Sequence, residues 1–179
     1  MYAVFACRGL IGLVFAVAAV TKIRSPSAYR EFASWLAALP VPLARNRALP
    51  AVFIAAEAAI VALVAVPVTA TAGLLLAAGC LVVMTSGTGV IVKRGARVSC
   101  QCFGPSSSPL GARHIVRDGI LLVIALAGAL GASRGTASPG GIALSLVAAL
   151  IGATFVVFSD DLIALFGTDP AARVSEPPQ

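Results

Sequence analysis

The chain has 179 residues, 59% of them hydrophobic and only 11% charged, with a mean hydropathy of +1.00. A water-soluble domain needs more charge than this to cover its surface, so the composition points to a lipid bilayer, and one domain is the natural count at this length. The net charge of +6 comes with few aromatics and no basic–aromatic interleaving, which argues against nucleic acid as a partner.

An apolar run needs roughly 20 residues to cross about 30 Å of hydrocarbon. Five candidates occur in order: Val4 to Thr21, Ala51 to Val68, Thr71 to Val92, Ile115 to Ala132 and Ile142 to Phe158. The last two are short and Gly-rich, so the expected architecture is all-α, a polytopic membrane bundle of four to five transmembrane helices. The first run, read as a signal peptide, would be cleaved after "SPSA". It has one flanking charge, Arg8, and no small-x-small site directly after it, so it reads as a retained span. Next comes "SAYREFASWLAAL", residues 27 to 39, where Ala28, Phe32, Trp35, Leu36 and Leu39 recur at spacings of three and four. This predicts a short interfacial helix, with Tyr29 and Trp35 at headgroup depth; a surface helix packed on the bundle would give the same pattern. Pro50 suits the first turn of the second span, and the short turn from Pro67 to Thr71 makes spans two and three an antiparallel pair. Gly73, Gly79, Gly128, Gly131 and Gly152 suit close helix approach. Residues 1–159 thus read as one transmembrane domain, and 160–179 as a short amphipathic stretch with a disordered tail.

Five spans put Lys22, Arg24, Arg30, Arg45, Arg47, Lys93, Arg94, Arg97, Arg113, Arg117 and Arg173 on one side, leaving only Arg8 and Arg134 on the other. The positive-inside rule then places the loop between spans three and four on the cytoplasmic face, with the N-terminus outside. The expected location is the cytoplasmic (plasma) membrane, with several passes.

That loop contains "RVSCQCFGPSSSP", residues 97 to 109, with Cys100 and Cys102 one residue apart. A metal site wants three or four ligands, and His114 is the chain's single histidine. Two thiolates alone would suit a soft ion such as Cu(I), with nothing else in the sequence in its support. A redox pair is the sharper reading. A disulfide across one intervening residue closes a small ring that cannot relax, and such strain favours exchange over stapling. Lys93, Arg94, Arg97 and Arg113 nearby favour thiolates. Cys7 and Cys80, inside spans one and three, read as small packing residues.

Charges within spans are the second lead, since each is costly unless paired or wet. Glu57 stands seven residues after Pro50, so about 10 Å below the face that carries the Cys loop. Lys22 closes span one on that face, and Arg117 and Asp118 open span four there. Either an ion pair ties the helices in register, or Glu57 passes protons while Arg117 or Lys22 tunes a thiolate.

Together these residues resemble the MauE branch of the MauE/DoxX-like membrane proteins. The matching features are "CRGLIGLVFAVAAVTKI" with Arg8 and Lys22, "LP" at Leu39 and Pro40, Pro50 followed by Glu57, "CQCFG" from Cys100 to Gly104, and "IVRDG" with Arg117. They span roughly residues 5 to 130; the family often has Asn where this chain has Asp118. The resemblance implies a helical bundle concerned with thiol redox chemistry and a thioredoxin-like protein as partner. MauE proteins are linked to maturation of the disulfide-rich small subunit of methylamine dehydrogenase. Such maturation takes place outside the cytoplasm, whereas the charge bias puts the Cys loop inside. A carrier of reducing equivalents resembling CcdA, a loop that re-enters the bundle or a different span count would reconcile the two.

The reading is a thiol–disulfide redox protein with Cys100 and Cys102 as the exchanging pair, Glu57 as the proton-handling group and Arg117 favouring the thiolate. No cofactor and no metal are expected, and the sequence names no quinone or other acceptor. The alternative is a non-catalytic membrane chaperone or scaffold for a maturing partner. A transporter ranks last, since the chain has no repeated half.

Overall fold

The computed structural model describes residues 2–37, 46–93, 112–131 and 138–166. Six helices follow in order: α1 (Tyr2–Ile23), α2 (Pro26–Ala37), α3 (Leu49–Ala65), α4 (Ala70–Lys93), α5 (Ala112–Leu130) and α6 (Pro139–Phe166). The described residues contain no strand. The fold is therefore all-helical, with the helices close to the apolar runs. Three of them are long and apolar enough to cross a membrane: Tyr2–Ile23, Ala70–Val90 and Pro139–Ser159. Leu49–Ala65 is a shorter apolar helix. In α5, His114, Arg117 and Asp118 in the first two turns dilute an otherwise apolar run. Helix α6 continues past the expected end at Phe158 to Phe166.

Local chemistry sets the helix ends. Ser25 Oγ accepts the Ala28 N–H at 3.2 Å, capping α2 just before Pro26 opens it. Pro50 sits at the start of α3, where its missing N–H costs no helical bond. Between α3 and α4 the chain turns in four residues, and Thr69 Oγ1 donates to Leu63 O at 2.8 Å to tie the turn back. Arg8 reaches over from α1 and donates to Val64 O at 2.8 Å and 3.1 Å. It thereby satisfies a carbonyl that the end of α3 leaves orphaned and sets a cation against the negative end of that helix. Its guanidinium also lies 5.5 Å from the Phe5 ring centre.

Helix α1 is the hub: it touches every other helix. Helices α1, α3, α4 and α5 enclose the core, where Ile11, Val14, Phe15, Ile60, Leu74, Leu81 and Leu121 are buried together. Helix α6 packs along α1. There a Cβ on Gly9 would come within 2.9 Å of Ala149 Cβ, and Tyr2 hydrogen-bonds Ser138 at 3.1 Å. The outer face of α6, including Leu144, Leu150 and Phe155, is exposed, as suits a face that meets lipid.

The amphipathic face expected around Trp35 exists, and it packs on protein. Phe32, Trp35 and Leu36 are buried against Leu49, Phe53, Ile54 and Met84. Helix α2 thus lies over the end of the bundle where α1 and α4 finish and α3 and α5 begin, while Tyr29 is half-buried.

Small residues matter where backbones meet. A Cβ at Gly128 would lie 2.9 Å from Cys7 Cβ and 3.1 Å from a Leu74 methyl, whereas one at Gly79 would meet nothing within 4 Å. Gly128→Ala is therefore expected to destabilise the protein by about 1–3 kcal/mol through overpacking, and Gly79→Ala to leave it unharmed. Thermal unfolding of both variants in detergent checks the difference.

Candidate functional site

A lysine that ends a transmembrane run and a glutamate two turns into the next apolar helix would each be costly alone in hydrocarbon. The fold brings them together. Lys22 Nζ, in the last turn of α1, lies 2.7 Å from Glu57 Oε1 on α3, and the side chains are 3% and 7% exposed. The ammonium also donates to Ala18 O at 3.2 Å, one turn back on its own helix. It stands 5.0 Å from the Phe32 ring centre as well. That ring belongs to α2, so the buried face of α2 covers the ion pair and supplies a π surface to the cation. Across the bundle on α5, Arg117 and Asp118 pair at 3.3 Å, with Asp118 buried.

Next to the ion pair is a cavity of about 40 Å³, lined by Lys22 and Phe15 of α1, Phe53 and Glu57 of α3, Cys80 and Met84 of α4, and Asp118 of α5, among others. It has room for two or three waters by volume. Glu57 Oε1 is taken by Lys22, and its buried Oε2 has no hydrogen-bond partner. Leaving a buried acceptor unmet costs on the order of 1–3 kcal/mol.

The charged groups read from the sequence thus fall as expected in one half of the bundle. Glu57 and Lys22 are in direct contact, and Arg117 lies on the same half with Asp118 beside it. Arg8 is at the other end, holding the α3 terminus. Cys100 and Cys102 lie outside the described residues. Their loop joins the end of α4 to the start of α5, two helices that pack on each other. Among the described residues, no three His, Cys, Asp or Glu side chains cluster to hold a metal ion.

Two residues of the site were not foreseen, Cys80 and Met84. The signal for Cys80 was in the sequence. Counted back from the α3–α4 turn, Glu57 is nine residues from Val66, and Cys80 is ten residues on from Ala70. At 1.5 Å per residue both sit about 14–15 Å from the turn, so an antiparallel pair places them at one depth. Buried Thr88 and His114 add further polar groups toward the same end.

The family model described as "Methylamine utilisation protein MauE" matches residues 1–131. The chain belongs to the MauE family. The match takes in α1 to α5, the Lys22–Glu57 pair and the loop with Cys100 and Cys102, and ends before α6. With its long apolar helices, this is a MauE-like membrane protein related to methylamine utilisation. No curated protein and no solved structure matches the chain.

The pairing of Lys22 with Glu57 has a direct consequence in this MauE-family chain. Removing one partner strands the other charge, so Lys22→Met or Glu57→Leu alone is expected to cost about 3–5 kcal/mol, whereas the double variant restores most of that loss. A double-mutant cycle on thermal stability in detergent reads this coupling.

Proposed function

We propose that the protein is a multi-pass thiol–disulfide exchanger of the plasma membrane, with four to five spans crossing the bilayer. Cys100 and Cys102 form its reacting pair, and a thioredoxin-like protein is its redox partner. The exchange needs no added oxidant, because the partner's disulfide takes the two electrons. A thiolate of the pair attacks a disulfide of the partner, giving a mixed disulfide and releasing one partner thiolate. The second cysteine then attacks the mixed bond, leaving Cys100–Cys102 oxidised and the partner reduced. The reverse sequence returns the pair to dithiol.

The observation that carries this reading is the buried charge at the end of the bundle from which the Cys loop departs. Lys22 and Glu57 form an ion pair there beside a cavity, and the second carboxylate oxygen of Glu57 is buried without a hydrogen-bond partner. A pair used only to hold α1 against α3 has no need of a second, unmet carboxylate oxygen. Thiol exchange does: two protons leave the dithiol for each disulfide formed, and a carboxylate with a vacant lone pair can take up and release them in turn. Arg117, with Arg94, Arg97 and Arg113 of the flanking sequence, favours thiolate over thiol by its charge. The family name, with its methylamine utilisation, makes maturation of a disulfide-rich protein a fitting downstream use.

Trapping tests the reading. A Cys102→Ala variant lacks the resolving thiol and is expected to accumulate mixed disulfides through Cys100, seen as reducible higher-mass bands after acid quenching. A Cys100→Ser/Cys102→Ser chain that still supports maturation of its partner at the normal level would establish the scaffold reading instead. Labelling with a membrane-impermeant thiol reagent is expected to reach the pair from the cytoplasmic side, where the basic residues concentrate; labelling from the opposite side alone would reverse the topology.

A further inference from the structure

The buried pairs do not absorb all the cations at the end of the bundle that α2 covers. Lys22 is held by Glu57 and Arg117 by Asp118. Four more stand at that end with exposed side chains: Arg24 directly after α1, Arg30 on α2, Arg47 two residues before α3, and Lys93 at the end of α4. No ion pair among the described residues engages any of the four. Glu31 is the only exposed carboxylate among the described residues of α2 and of these three helix ends. Asp160 and Asp161 belong to α6, which packs along α1. Against them the sequence sets Arg45 between α2 and α3, Arg94 and Arg97 after α4, and Arg113 in α5. The end as a whole is positive.

Depth decides what meets this charge. Ile23, 60% exposed, is the residue before Arg24; Val52, 59% exposed, follows Arg47 by five residues; Val90, 40% exposed, precedes Lys93 by three. Exposed aliphatic side chains on the apolar helices of a membrane bundle meet acyl chains. Each of these three cations therefore stands at the edge of the lipid-facing surface, where acyl chains give way to headgroups. Helix α2 agrees. Ser27, Arg30, Glu31 and Ser34 are exposed on it, and none of its large apolar side chains is. It rides at headgroup level without entering the acyl region. A soluble partner's carboxylates would have to reach past the headgroups, whereas lipid phosphates are already there.

We infer that Arg24, Arg30, Arg47 and Lys93 form a binding surface for anionic phospholipid headgroups, a collar that enriches such lipids around the α2 end of the bundle. The guanidinium forks suit phosphate oxygens, and Lys93 adds a point charge. Zwitterionic lipids also carry phosphate, but their own cation cancels the longer-range attraction, so a positive surface selects lipids with net negative charge. The surface is separate from Cys100 and Cys102, and it can fail or stand independently of the redox reading.

Trp35, the chain's single tryptophan, lies on α2 beside this surface and serves as the donor for energy transfer. The full chain is reconstituted in phosphatidylcholine vesicles with a trace of dansyl-labelled phosphatidylglycerol or, in a parallel set, dansyl-labelled phosphatidylcholine. The phosphatidylglycerol probe is expected to be enriched near Trp35 at least threefold over the phosphatidylcholine probe. Raising salt to about 1 M, where the Debye length is about 3 Å, is expected to bring the two probes together. Changing all four cations to Gln is expected to remove at least half of the enrichment, with an unshifted Trp35 emission maximum showing that α2 is still docked; the salt arm needs no variant. Equal transfer to both probes in the native chain would leave the cations to a soluble acidic partner and overturn the inference. Full enrichment in the docked four-fold variant, or at about 1 M salt, would overturn it as well.

Discussion

The end of the bundle where α1 finishes and α3 begins depends on one buried ion pair. Lys22 and Glu57 meet at 2.7 Å with almost no exposure, and neither charge would be tolerable in that position alone. Their attraction fixes the rotation of α1 against α3, because only one phase of each helix presents the two side chains to each other. Once that phase is set, Ile11, Val14 and Ile60 turn into a common core, and Arg8 on α1 comes within reach of the carbonyls that end α3. The two polar contacts sit at opposite ends of the same helix pair and hold it like two pins.

Helix α2 completes this arrangement. Its Phe32 ring faces the Lys22 ammonium at 5.0 Å, and Trp35 and Leu36 close over Phe53 and Met84. The ion pair is thereby covered by the aromatic and apolar face of α2. Burial strengthens the electrostatic contact between the two charges and raises the cost of separating them. The same burial leaves Glu57 Oε2 without a hydrogen-bond partner. The proton handling proposed for thiol exchange draws on that oxygen.

Much of the fold was legible because membrane helices announce themselves by length. Four of the five apolar runs lie within or nearly within a single observed helix, and the turn at Pro67 to Thr71 correctly paired α3 with α4. Counting rise per residue was enough to put Lys22 and Glu57 in one half of the bundle. Contact between them was not legible, because α3 is apolar nearly all the way round and gives no clue to its rotation. The same limit explains Cys80, whose depth could be counted but whose direction could not. Trp35 shows a different limit: an amphipathic face reveals that something apolar covers it, and lipid and protein satisfy that equally. Gly79 was grouped with the close-contact glycines and faces open space, whereas Gly128 does meet a neighbouring helix, since composition alone cannot tell the two apart.

The central claim is that the buried carboxylate serves the thiols of the neighbouring loop and does not merely bind two helices. The most direct measurement is the rate at which Cys100 and Cys102 change oxidation state in membranes when the redox poise is stepped, followed by alkylation gel shift in the native chain and in folded Glu57→Gln. The account predicts that the native pair interconverts and that the Gln variant does so at least tenfold more slowly, while its thermal unfolding shows a folded protein. A pair locked in one state at every poise, or interconversion at equal rates in both proteins, would contradict it.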